Sequence, residues 1–148
     1  MLVDRILPLY GELAVRVALN LRPGQRLLII GPLANGGCSL DAAPLVRSIT
    51  ESAYRAGASL VETLWGDEGM QLARFTHASR DTFDQWSAWF GRALTEHVKE
   101  GHATLSISGN DPDLLKGHPP ELVGVLQKVV STAVRPFRER SEEHTSEL

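Results

Sequence analysis

The side chains best suited to hold a metal or move a proton gather in one short stretch: Glu96, His97, Glu100 and His102. Carboxylates and imidazoles are the donors that zinc and related cations select. On a helix Glu96 and Glu100 share a face, but His97 points about 100° away from Glu96, toward the apolar side. The spacing matches neither H-E-x-x-H nor another zinc-binding helix. The stretch therefore reads as a solvated helix end. His77 and His118 stand alone near helix ends and take no role. Cys38 is the single cysteine, which excludes an internal disulfide and a Cys-rich zinc knuckle. No base adjoins it in sequence, so it reads as an incidental loop thiol.

Two loops come next. Gly31-Pro-Leu-Ala-Asn-Gly-Gly37 follows an apolar run, where dinucleotide-binding folds keep their phosphate loop. Its spacing fits neither G-x-G-x-x-G nor G-x-x-x-x-G-K-[ST]. Asp41, just beyond, would repel phosphate from a helix start. A flexible connection is the expectation. Trp65 with Gly66, Asp67 and Glu68 ends a strand on the carboxyl edge where α/β sheets place ligands, and it is the most suggestive site. Trp86 and Trp89 read as packing. No residue is assigned as catalytic, cofactor-binding or metal-binding.

The elements that would position these groups alternate between helix and strand. Residues 4–20 predict an amphipathic helix with Ile6, Leu9, Leu13 and Val17 on its inner face. Residues 26–31 form a short apolar run without alternation, as in a parallel strand covered on both faces. Asp41 is the expected cap of a helix ending at Gly57, with Leu45, Ile49, Ala53 and Ala56 inward. Residues 59–65 and 102–109 predict the second and third strands. Between them lie a short helix, 69–77, and a long one, 79–100, carrying Phe83, Trp86, Phe90, Leu94 and His97 or Val98. Asp111-Pro112 caps a single turn that ends at Gly117. The last helix, 119–138, turns Leu122, Leu126, Val129, Ala133 and Phe137 inward. The class is α/β: a three-layer open sheet of mainly parallel strands with flanking helices, stopping before the remaining strands.

The chain has 148 residues, 43% apolar and 22% charged, the size and balance of one soluble domain. No run is apolar enough for a membrane span. No basic stretch leading into an apolar run opens it, so a cytoplasmic location is expected. The net charge of −3 comes from the last eight residues. Without Glu142, Glu143 and Glu147 the acidic count falls from 18 to 15 and equals the basic count of 15. A neutral body without a basic stripe does not suit nucleic acid.

Residues 140–148, Arg-Ser-Glu-Glu-His-Thr-Ser-Glu-Leu, are the translation of AGA-TCG-GAA-GAG-CAC-ACG-TCT-GAA-CTC, one frame of a common sequencing adapter. They are expected to be a disordered adapter translation, with 1–139 the incomplete domain itself. A natural acidic tail is the alternative.

Several stretches in succession resemble one family. They are YGELAVRVALNLRPGQ from Tyr10 to Gln25, AAPLVR from Ala42 to Arg47, and AYRAGA from Ala53 to Ala58. Val61 to Trp65 with Asp67 and Glu68, then LSISGNDPDLL from Leu105 to Leu115, complete the series. In this order they resemble the thermophilic metalloaminopeptidases, the group of aminopeptidase T, aminopeptidase S and PepS. The loop from Ala34 to Asp41 is longer than the family pattern. The resemblance implies an N-terminal α/β domain of a homodimeric, broad-specificity exopeptidase that helps enclose the active site. It also implies two divalent metals, zinc or cobalt, held by a separate C-terminal domain, with peptides as substrates. Those ligands fall beyond this chain, so the segment alone is expected to be inactive. The competing readings are a small-ligand or nucleotide-binding module and a non-catalytic dimerisation domain.

Overall fold

The computed structural model describes residues 2–109, 111, 113–141 and 145–147. Strand β1, Arg26–Ile30, runs through the middle of a four-stranded parallel sheet. Its neighbours are β3, Leu60–Thr63, on one side and β5, Ala103–Ser106, on the other. A pair of two-residue strands, β2 at Cys38–Ser39 and β4 at Trp65–Gly66, forms a second parallel sheet. The α/β class with a parallel sheet flanked by helices is as the sequence predicts.

After Arg26 the β1 run is apolar because both of its faces are covered. Leu27 and Ile29 point into one layer, with Val46, Ile49 and Ala53 of helix α2, Ala43–Arg55. Leu28 and Ile30 point into the other, with Phe90, Leu94 and Val98 of α4, Ala88–Lys99. Val134 and Phe137 of α5, Pro120–Ser141, complete that layer. A third cluster joins Phe75 of α3, Glu68–His77, to Phe83, Leu126 and Val130.

Three expectations are corrected. Helix α1, Leu2–Leu13, continues as a π-helical turn over Ala14–Ala18, and the predicted stripe faces outward. Ile6, Leu9 and Leu13 are 47%, 68% and 57% exposed, while Gly11, Ala14 and Val15 are buried; the side chain of Val17 lies outside the described residues. The cause is the close crossing of α1 on α2. A Cβ on Gly11 would stand 2.6 Å from Ser48 Oγ, and that hydroxyl donates to the Leu7 carbonyl at 2.6 Å. Only the face of small residues permits that approach.

The predicted helix 79–100 is two pieces, a 3₁₀ turn at Arg80–Thr82 and then α4. The break lets Phe83 turn into the third cluster, with its ring 4.9 Å from that of Phe75. Arg74 donates to the carbonyls of Thr82 and Gln85, each at 2.9 Å, and so satisfies backbone that the helix would have paired.

The tail, expected to be disordered, contributes more than that. Helix α5 runs on to Ser141, and Thr145–Glu147 forms β6, parallel to β5 in the register Thr104↔Thr145. A sheet edge offers unpaired N–H and C=O groups to any extended segment, whatever its side chains. Residues 142–144 and 148 lie outside the described residues.

Candidate functional site

Beyond the carboxyl ends of β1, β4 and β5 lies a cleft, the position where open α/β sheets place ligands. The Gly31–Gly37 loop is not the flexible connection the sequence suggested. Its second half is clamped against β4: Cys38 N donates to Leu64 O at 2.7 Å and Asp67 N to Asn35 O at 3.2 Å. The glycines make this possible. A Cβ on Gly31 would lie 2.6 Å from the Cys38 Cα, and one on Gly66 would lie 2.5 Å from Gly37 N. Pairing of β2 with β4 thus brings two loops, distant in sequence, to one floor.

The walls are acidic. Asp41, Glu68 and Asp111 line the cleft beside Pro32, Ser39, Ala42, Ile107 and Ser108, and among the described residues no lysine or arginine lines it. Asp41 does not cap α2. Its N–H is bonded instead to Ser39 Oγ at 3.3 Å, opening a 3₁₀ turn over Leu40–Ala42 before the helix. Asp67 is the cap of α3, accepting from Gly69 N at 3.2 Å. Glu68 Oε1 accepts from Asp111 N at 2.8 Å, which ties the β4 loop to the β5 loop. Asp111 Oδ1 in turn accepts from Asp113 N at 2.9 Å.

Such a cleft suits a cationic or neutral polar group and repels phosphate. Glu68 and Asp111 are already engaged with backbone N–H groups, and among the described residues no three His, Cys, Asp or Glu converge on a common point.

The other sequence candidates lie elsewhere. Glu96, His97, Glu100 and His102 sit at the amino ends of the strands, opposite the cleft, and only part of the group assembles. Glu96 borders a shallow groove between α4 and α5. The His97 and His102 rings are 5.4 Å apart and half-buried, so the solvated helix end holds for the glutamates alone. Cys38 is fully buried, and burial pushes its thiol pKa up, the opposite of an activated nucleophile. His118 packs edge-on against Phe75 at 5.7 Å. Trp86 and Trp89 flank Phe90 at 5.2 and 5.6 Å. Trp65 is 41% exposed beside the cleft, whose lining takes Gly66 rather than the indole.

Fold and cleft together define an open, doubly wound α/β domain with an acidic crevice at its carboxyl edge. The chain belongs to the thermophilic metalloprotease (M29) family, whose model matches residues 3–147. It is 37% identical over 135 residues to aminopeptidase 2 of Geobacillus stearothermophilus, covering 91% of this chain and 31% of that one. It is 38% identical over 129 residues to aminopeptidase T of Thermus thermophilus, covering 87% and 30%. The solved structure of wild-type AmpT from Thermus thermophilus superposes with a TM-score of 0.86 at 36% identity, over 97% of this chain and 35% of that one. The chain spans about a third of the length of the relatives it matches. These relatives are aminopeptidases by name, so the family expected from the sequence is the family found.

Proposed function

We propose that this chain is the N-terminal α/β domain of a metal-dependent aminopeptidase, with the metal ligands carried by polypeptide outside these residues. The parent enzyme would release N-terminal amino acids from peptides, and zinc or cobalt would activate water and polarise the scissile carbonyl there. The observation that carries this reading is the family match along nearly the whole chain, set beside coverage of only 31% of aminopeptidase 2. The donor set supports it, since Glu68 and Asp111 are tied to backbone N–H groups and, among the described residues, no three His, Cys, Asp or Glu could hold a metal together.

Residues 1–139 are the domain in this reading and 140–148 the adapter translation. Homodimerisation and a cytoplasmic location belong to the proposal as well and rest on the resemblance; among the described residues no helix is long and apolar enough to cross a membrane. Reading genomic DNA past codon 139 tests the proposal. A continuing frame encoding further Glu and His ligands is the expected result, and a native stop codon there would sink it.

A further inference from the structure

At the amino end of the sheet, two imidazoles bind backbone in ways that fix their protons. The Arg26 N–H can only donate, and it points at His102 Nδ1 at 3.1 Å. His102 Nδ1 must therefore hold a lone pair, and any proton on the ring sits at Nε2. The Ala103 carbonyl can only accept, and His97 Nε2 lies 2.8 Å from it. His97 Nε2 therefore carries hydrogen. One bond ties the first residue of β1 to the residue preceding β5, and the other ties α4 to the first residue of β5. The Gln25 amide bridges the same ends, donating to Gly101 O at 2.9 Å.

We propose that His97 and His102 form a proton-operated clasp across the amino ends of β1 and β5, closed while both rings are neutral and opened when His102 takes a proton at Nδ1. Protonation there replaces the acceptor with a donor facing Arg26 N–H, so the bond cannot survive it. Opposing groups surround the pair. Glu100 Oε2, just after α4, lies 3.5 Å from His102 Nε2. The Ala103 carbonyl bonded to His97 Nε2, then Glu62 on β3 and Glu100, favour the charged form of His97. Against them stand burial and the neighbouring imidazole 5.4 Å away. For His97 burial is the largest influence, and its pKa lies below the ordinary 6.5. This fixes the sign of the pH dependence. Below 6.5 the unfolded chain takes up a proton that folded His97 refuses, so stability is full above 6.5 and declines as pH falls toward the lower folded value.

The test is urea unfolding of the whole chain between pH 7.5 and 5.5, a range above most carboxylate titration. For His97, the folding constant should fall by up to about tenfold per pH unit below 6.5. In H97Q/H102Q, where amides replace the titrating groups, the fall should be less than about half as steep on a logarithmic scale. An equal slope in the variant overturns the clasp. If the variant does not fold, the wild-type chain suffices. Ring nitrogen spectra should show His102 as the Nε2–H tautomer while the ring is neutral, and the Arg26 amide should lose protection in step with protonation of that ring, followed in the same spectra. A neutral Nδ1–H ring, or protection unchanged as the ring is protonated, contradicts it.

Discussion

Gly31 and Cys38 lie back to back, so close that a Cβ on Gly31 would meet the Cys38 Cα at 2.6 Å and the Gly37 carbonyl oxygen at 2.7 Å. Both contacts are to backbone, which cannot swing aside as a long side chain would. Gly31→Ala should therefore push the β2 segment off its pairing with β4 and destabilise the domain by about 3 kcal/mol, at the upper end of overpacking costs. Urea denaturation checks the loss, and the indole fluorescence of Trp65, directly opposite Cys38 in the ladder, should report the local shift.

Two helical glycines make a matched pair. Gly91, on α4, would place a Cβ 2.7 Å from Ala133 O on α5, whereas Gly124, exposed on α5, has nothing within 4 Å. Gly124→Ala should raise stability by roughly 0.5–1 kcal/mol through helix propensity. Gly91→Ala gains the same propensity but forces the two helices apart, and should lose about 1–3 kcal/mol. Thermal unfolding of the two variants side by side decides whether the α4–α5 crossing is as close as described.

Thr104 is fully buried in β5, and among the described residues its hydroxyl has no hydrogen-bond partner. Removing a buried polar group that lacks a partner recovers its desolvation cost. Thr104→Val keeps the shape and should stabilise by about 1 kcal/mol, a rise of roughly 2–4 °C in Tm for a domain of this size. A fall in Tm would mean that the hydroxyl is bonded after all.

The sheet is legible in the sequence because its signal is local: Arg26–Ile30 is apolar in every position but the first and can only be covered on both sides. Gly57 and Gly101 mark helix ends for an equally local reason, each at positive φ. The face of α1 is not legible, because it is decided by how near α2 comes. Gly11 and Ala14 win that face over the larger Ile6, Leu9 and Leu13, and periodicity alone rewards bulk. The break before α4 is hidden for a similar reason, since Arg74 supplies from a distance the bonds that a continuous helix would have made.

Of the cleft, Gly66, Asp67 and Glu68 are visible in the sequence as a strand end, while the Gly31–Gly37 loop, lacking any phosphate motif, resembles a plain connection. Asp41 and Asp111 look only like caps. One local signal unites them: Asp41, Glu68 and Asp111 each come after one of three parallel strands, and parallel strands deliver their succeeding loops to a single edge.

If this α/β domain carries no hydrolytic metal centre of its own, as proposed, the purified chain with zinc or cobalt added should release no anilide from a leucyl anilide. The predicted result is a rate indistinguishable from that of the metal alone. Turnover that tracks the concentration of the folded chain and disappears on chelation would contradict it, and would place donors where the structure shows carboxylates already bound to backbone.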